Sequence, residues 1–459
     1  MESKLKNQDI TLVDEKKDSA PENAFDSVYG SPFAAVFEPE GLLSSGQIIC
    51  LIARLLKAIN PRLGKTCMQT AYIATKIALP GKNDDRLSLT NILLLSILHL
   101  NGFYHFIGED LVHRKDFTAE EVNRAYTYCY YYLKEMTPLS SEAETVLFYN
   151  KRYSSAIAKK VPQMEYASLI FLAQSLSELI SLKGENYDES DFQLFGFERF
   201  NPHYVNIFKK IDSSRVISKA LTDDSYEEEL FKWLKTLKFN KEETKQLLRL
   251  LIYIMDFKST QTVQHTIHAA SYAVVLGKYA GCSDSEMNQL FTAGILHDLG
   301  KMSIPVSILE SPEANLPKWQ FRLLKNHVFE TEKILNSLVS KNIFDIAVRH
   351  HEKLDGSGYP NHLTEKDLTP LQRILTIADI LSALKDKRSY KNPYSEEQIK
   401  AIIHENIEGG KIDGTYARCI FERYEDVQTE CMMVESSLMA PLGLVEIQFQ
   451  DDINNIQAI

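Results

Sequence analysis

Seven side chains in the second half of the chain have the types and spacing to hold metal ions beside a phosphate: His265, His297, Asp298, His327, His350, His351 and Asp379. His297 and Asp298 are neighbours, and neighbours on a helix point about 100 degrees apart, so they can approach a dinuclear centre from different directions. A carboxylate can bridge two cations, one per oxygen, and neutral imidazoles complete the shell without adding negative charge. Asp379 falls inside the apolar run 374–384, where an unpaired carboxylate would be expensive. Its burial makes sense if it meets a cation. Lys301 follows at the end of His297-Asp298-Leu299-Gly300-Lys301 and could place a positive charge on a phosphoryl group. After His350-His351 comes Gly356-Ser357-Gly358-Tyr359-Pro360, in which the glycines permit a tight turn and the proline restricts its exit. Tyr359 could pack beneath that turn or against a base.

These groups must be positioned by helices. Apolar residues recur at helical spacing around them: Phe321, Leu324, Val328, Ile334 and Leu335 frame His327, and 343–349 forms the helix that ends at His350. In the first half, Ile48, Leu51, Ile52, Leu55, Leu56 and Ile59 mark one face, ended by Asn60-Pro61. An all-α fold is expected. The 459 residues, 44% hydrophobic, are enough for two or three domains with substantial cores. A formal charge of -11 argues against a polymeric nucleic-acid partner, whose backbone needs a basic surface. A small anion remains compatible, because bound cations reverse the potential locally. The cysteines (Cys50, Cys67, Cys129, Cys282, Cys419, Cys431) are scattered without a CxxC pair and read as reduced thiols. The N-terminus lacks an apolar signal core, and no apolar run reaches bilayer-spanning length. The expectation is a cytoplasmic protein with no membrane insertion.

An internal repeat organises the chain. The segment from Ser96 through His99 to Gly102 aligns with Ala293 through His297 to Gly300, 146–151 with 347–352, and 169–174 with 374–379. The apolar frame persists in the first copy, but its ligand positions read Leu100, Tyr149, Asn150 and Gln174, with His99 alone retained. Common helical periodicity is the competing explanation. The division expected is a polar tail at 1–25, a degenerate copy without metal ligands at 26–220, a catalytic copy at 221–430 and an extension at 431–459. The alternation in 445–450 suggests a short edge strand or a partner-docking segment.

His297-Asp298-Leu299-Gly300-Lys301 resembles the motif of the HD superfamily of metal phosphohydrolases, and the segment ending Gly358-Tyr359-Pro360 resembles its HD-GYP branch. The resemblance covers roughly 235–425. It implies an all-helical catalytic domain that hydrolyses 3',5'-cyclic dinucleotides. It assigns metal ligation to the seven side chains above, catalysis to Asp298 and Lys301, and substrate contact to Lys301, Gly358, Tyr359 and Pro360, with Arg388 and Lys391 as further phosphate anchors. Members with a third metal carry Glu four residues before the first ligand His; Gln261 stands there, so two divalent transition-metal ions are expected. Mixed N/O ligation favours iron or manganese.

The expected reaction is attack of a metal-bridging hydroxide on one phosphodiester, giving a linear 5'-phosphorylated dinucleotide. The tandem arrangement resembles that of Vibrio phosphodiesterases that degrade 3',3'-cyclic GMP-AMP (3',3'-cGAMP), which makes that nucleotide the preferred substrate and cyclic di-GMP the alternative. A reading from another class is a cyclic-dinucleotide sensor or interaction module without turnover. A homodimer is allowed.

Overall fold

The computed structural model describes residues 42–81, 87–107, 118–149, 151–312, 316–386 and 393–457. The expected tail at 1–25, Asn150, Arg388 and Lys391 lie outside the described residues. Within them the chain is helical, joined by turns and one isolated antiparallel bridge between Asp355 and Thr364. The all-α expectation holds.

Twelve helices carry the argument. In the first half they are α1 (Ser45–Ile59), α2 (Pro61–Ala78), α3 (Leu89–Leu98), α4 (Ala119–Met136) and α5 (Gln163–Lys183). In the second they are α6 (Lys241–Ile254), α7 (Thr260–Tyr279), α8 (Asp284–Leu296), α9 (His327–Leu335), α10 (Lys341–Val348), α11 (Pro370–Lys385) and α12 (Tyr424–Gln457). Their starts are written in the sequence. Ser44 with Gln47 and Ser283 with Glu286 form capping boxes that satisfy the orphan amides of α1 and α8. Asn60 ends α1 and caps α2, whose first residue, Pro61, has no amide hydrogen to leave unpaired.

The second half is built around α7, which packs between α8 and α11. Its contact with α8 is close because Gly294 lacks a side chain: a Cβ there would lie 2.7 Å from Ala270 Cα. Buried apolar residues form one cluster running from Leu43 to Phe449, so the two halves share a core. The helix Tyr226–Lys235, after the turn near residue 223, packs on α1 and α2, while α1 packs on α6. All six cysteines are free thiols, and all but Cys282 are buried.

Two local expectations change. The helix around His327 is two helices, Lys318–Lys325 and α9, meeting at Asn326. The segment 445–450 is not a strand but part of α12. A strand would put Val445, Ile447 and Phe449 on one face; instead Val445 and Phe449, one helical turn apart, are buried and Ile447 is exposed. Each such burial stabilises by roughly 1.5–3 kcal/mol, which outweighs the local β preference. Helix α12 packs against both α7 and α4, with Phe449 meeting Tyr128 edge-on at 5.1 Å. No helix among the described residues is long and apolar enough to cross a membrane.

Candidate metal centre

The seven proposed ligands converge from six elements. His265 comes from the middle of α7, His297 caps α8, and Asp298 begins the 3-10 turn that contains Lys301. His327 opens α9, His350 and His351 follow α10, and Asp379 lies in α11. Three groups have ligand atoms mutually within 4.8 Å: His265, His297 and Asp379; His297, Asp298 and His350; and His327, His350 and His351. Asp298 joins them. Its Oδ2 lies 3.2 Å from His265 Nε2 and 3.1 Å from His297 Nε2, and its Oδ1 lies 3.3 Å from His327 Nε2. That geometry suits a carboxylate shared by two cations.

Backbone chemistry orients the rings. His297, His327 and His350 each donate Nδ1–H to the carbonyl three residues earlier, on Gly294, Leu324 and Ala347, at 2.7, 2.7 and 2.6 Å. Each therefore turns the lone pair of Nε2 toward the cluster, the tautomer a metal ligand requires. For His265 the same role falls to Asp386, which accepts from Nδ1 at 3.0 Å, while Nε2 faces Asp298 and Asp379. Among the described residues, the buried His297 Nε2 and Asp298 Oδ1 find no hydrogen-bond partner. Buried polar atoms are rarely left so, and a cation would satisfy both. The nitrogen and oxygen donors fit divalent metal ions.

Charge is finely balanced here. Burial opposes ionisation of Asp298, but His297 and Lys301 beside it and a hydrogen bond from His265 hold its carboxyl well below the usual range. Burial likewise opposes charge on Asp379, which His265 and His351 keep well below it. Burial pushes His327 down to about 4 and His350 to about 3, so both are neutral ligands near pH 7. His351 is also well below its ordinary value, through burial and then the repulsion of His350. His265 goes the other way: burial and Lys301 disfavour its cation, but Asp298, Asp379 and Asp386 raise it well above.

Two glycines make the assembly possible. At Gly300 a Cβ would lie 1.9 Å from the His327 carbonyl oxygen, so only glycine lets the turn after Asp298 lie on α9. Thr331 ties the two, accepting from the Gly300 amide at 2.9 Å and donating to the His297 carbonyl at 3.1 Å. At Gly358 a Cβ would lie 2.5 Å from Glu352 Cα. The buried Glu352 carboxylate accepts from the amides of Asn361 and Leu363 at 2.7 and 2.9 Å, pinning the turn beside His351. The Tyr359 ring, whose position the sequence left open, packs on His351 at 4.6 Å between centroids.

A cavity of about 470 Å³ opens over the cluster, lined among others by Gln261, Lys301, Gly358, Tyr359 and Asp379. Lys301 is there, but its ammonium is paired with Asp298. The sequence reading missed Asp386, which also binds His268 Nδ1 at 2.7 Å, and Glu352. Asp386 stands seven residues after Asp379, two helical turns along the same face, and that spacing was the available signal. A larger groove of about 1160 Å³ between the halves holds none of the seven ligands. Its lysines include Lys57, Lys232 and Lys333, paired with Glu227, Glu228 and Glu330.

In the first half, His99 occupies the end of α3 as His297 does that of α8. Its Nδ1 donates to the Ser96 carbonyl at 2.8 Å, and its Nε2 lies 3.2 Å from Gln174 Oε1. Around it Tyr149, Phe171 and Tyr126 pack ring on ring, with centroids 4.1 and 4.7 Å from Tyr149.

Within an all-helical fold, imidazoles and carboxylates gather in this way beside a lysine and a glycine-rich turn, a donor set that could hold divalent metal ions. Residues 249–416 match the family model described as HD domain, and the chain is similar to cGAMP-specific phosphodiesterases of Vibrio cholerae. One such relative, 3'3'-cGAMP-specific phosphodiesterase 2 of Vibrio cholerae, is 38% identical over 163 residues, 35% of this chain and 31% of the relative. Phosphodiesterase 3 of the same organism is 28% identical over 278 residues, 59% of this chain and 56% of the relative. A cyclic di-GMP phosphodiesterase of Thermotoga maritima is 31% identical over 156 residues, covering 33% and 42%. This chain thus spans between about a third and just over half the length of these relatives. A crystal structure of a cyclic GMP-AMP specific phosphodiesterase of V. cholerae superposes with a TM-score of 0.53 over 88% of this chain and 99% of that one, at 18% identity. It shares the fold, through the first half as well as the second.

Proposed function

We propose that the protein is a metal-dependent cyclic-dinucleotide phosphodiesterase with 3',3'-cGAMP as its preferred substrate, cleaving one phosphodiester to leave a linear 5'-phosphorylated dinucleotide. The observation that carries the chemistry is the paired ligand set around Asp298, with His297 Nε2 and Asp298 Oδ1 buried and unbonded. His265, His297, Asp298 and Asp379 would hold one cation; His327, His350 and His351, with the other oxygen of Asp298, would hold the second. We favour iron or manganese. Bound there, the cations would activate water and neutralise charge on the phosphoryl oxygens. The protein's own groups do the rest. Asp386 and the three backbone carbonyls hold the imidazoles in register, and Lys301 brings positive charge to the cavity floor. Tyr359 and the glycine turn form its wall.

Support for 3',3'-cGAMP comes from the relatives: three named 3'3'-cGAMP-specific phosphodiesterases of V. cholerae match this chain. Cyclic di-GMP phosphodiesterases match as well, so both nucleotides belong in the test. The assay is turnover of each by the full chain loaded with iron or manganese, with product identification. A higher kcat/KM for cyclic di-GMP would remove the substrate assignment and leave the chemistry. Binding of either nucleotide without hydrolysis, at full metal loading, would favour a sensor.

The first half reads as a non-catalytic copy, with 26–220 and 221–430 as the two units and α12 largely within the extension 431–459. What supports this is His99 beside Gln174, and rings where the second half has ligands.

A further inference from the structure

Among the described residues, four lysines line the cavity over the candidate metal cluster: Lys301, Lys325, Lys353 and Lys411. Lys301 has a carboxylate partner in Asp298. The other three form no ion pair with a carboxylate among the described residues, in a chain where Asp and Glu outnumber Lys and Arg by 62 to 51. Elsewhere lysines find acids readily, as Lys76 does with Glu229 at 2.7 Å and Lys278 with Glu430 at 2.8 Å. Cations left unpaired around one cavity are a site for an anion brought from outside.

Their placement is specific. Lys353 follows His351 by two residues and lines the cavity together with Asp379 and Lys411. The Leu354 amide donates to the Lys411 carbonyl at 3.0 Å, which fixes the backbone of one lysine beside that of the other. Lys325 stands over the Tyr359 ring at 4.4 Å and completes the rim. A cyclic dinucleotide carries two phosphates on one ring. Only the one being cleaved can lie on the cluster around Asp298, and the second must be accommodated a few ångströms away without a metal.

We propose that Lys353 and Lys411 form the subsite for the phosphate that is not cleaved, with Lys325 adding charge at its edge. The pair selects ligands with two linked phosphates over simple phosphodiesters. This rests on the phosphodiesterase reading above and adds to it the residues that discriminate.

The test compares Lys353→Gln and Lys411→Gln in the full chain, metal-loaded, on 3',3'-cGAMP, cyclic di-GMP and bis(p-nitrophenyl) phosphate, a diester with one phosphate. Each variant should raise KM for the cyclic dinucleotides about tenfold or more, as expected for losing a charged hydrogen bond. Their kcat/KM should fall at least tenfold further than that for bis(p-nitrophenyl) phosphate. Lys353→Arg and Lys411→Arg, which keep the charge, should restore most of the preference, and metal content should match the parent throughout. Equal losses on all substrates, or no change on any, would overturn the subsite. Lys411 is exposed, so its variant keeps the test decisive even if Lys353→Gln disturbs the turn beside His351. If the parent cleaves bis(p-nitrophenyl) phosphate but neither cyclic dinucleotide, the failure lies with the substrate class and not with the lysines.

Discussion

At the scale of single residues, Asp298 and Lys301 make separable predictions. Asp298 touches His265, His297 and His327, so Asp298→Ala should abolish turnover and lower metal occupancy together. Among the described residues, the Lys301 ammonium pairs with the Asp298 carboxylate. Lys301→Ala should keep most of the metal while slowing turnover by about 10²-fold, the loss expected when charge stabilisation of a transition state is removed. Parallel metal analysis and kinetics distinguish the two, and unchanged kinetics in Lys301→Ala would reject its role. The histidines also set a pH dependence. Because three carboxylates raise His265 well above its usual value, a cation must displace its proton. Metal affinity should therefore rise with pH through that raised pKa. His327 and His350, at about 4 and about 3, should add proton competition only in acid. Calorimetry in buffers of different ionisation enthalpy would show proton release on metal binding near pH 7; its absence would contradict this assignment. The seven candidate ligands could be picked out because ligand-type residues in apolar runs have few other uses. Asp386 and Glu352 were not, since their work is to hold another side chain or a turn, and no residue type announces that.

At the scale of helices, the apolar faces read in 48–59 and 374–384 fall within α1 and α11, because each helix buries its own stripe. The reading failed where tertiary contact decides. Alternation in 445–450 mimics a strand, and only the packing surface offered by α4 and α7 makes it helical. The break at Asn326 has no proline or glycine to mark it. A contact no sequence pattern shows is that of Arg54 in α1, whose guanidinium donates to the carbonyls of Ile334 and Asn336 at 2.8 and 2.7 Å. It thereby caps the C-terminal end of α9, the helix that begins with His327, and is favourably placed against that helix's dipole. Arg54→Ala should lower stability by about 1–2 kcal/mol through the lost charged hydrogen bonds. It should also weaken metal binding although Arg54 lies outside the ligand cluster. Urea titration and metal competition measure both, and a variant that loses stability with unaltered metal affinity would mean α9 needs no such brace.

At the scale of the whole molecule, the proposed division into two units does not divide the core. One apolar cluster runs through both halves, α1 lies against α6, and α12 spans α4 and α7. Calorimetry should accordingly show a single unfolding transition. Saturating metal should shift it upward, with about 2.7 kcal/mol of added stability at a concentration a hundred times Kd. Two resolved transitions, one insensitive to metal, would instead describe a catalytic half with an independent companion. The apolar frame of the first half was readable without its ligands because burial constrains residue class at every turn of a helix, whereas a metal constrains only a few positions. That asymmetry fits the proposed non-catalytic copy, in which α3 and α5 keep their periodicity around a histidine that has Gln174 beside it.

The buried Glu352 carries a consequence for solvent exchange. Surface loops ordinarily open and trade their amide hydrogens for deuterium quickly. The amides of Asn361 and Leu363 belong to such a loop by position, yet both point at a carboxylate that is itself sealed from water. Their deuterium uptake should be as slow as that of the helical amides behind His350, two protected points in a segment whose neighbours label fast. In Glu352→Ala both should join the fast-labelling class.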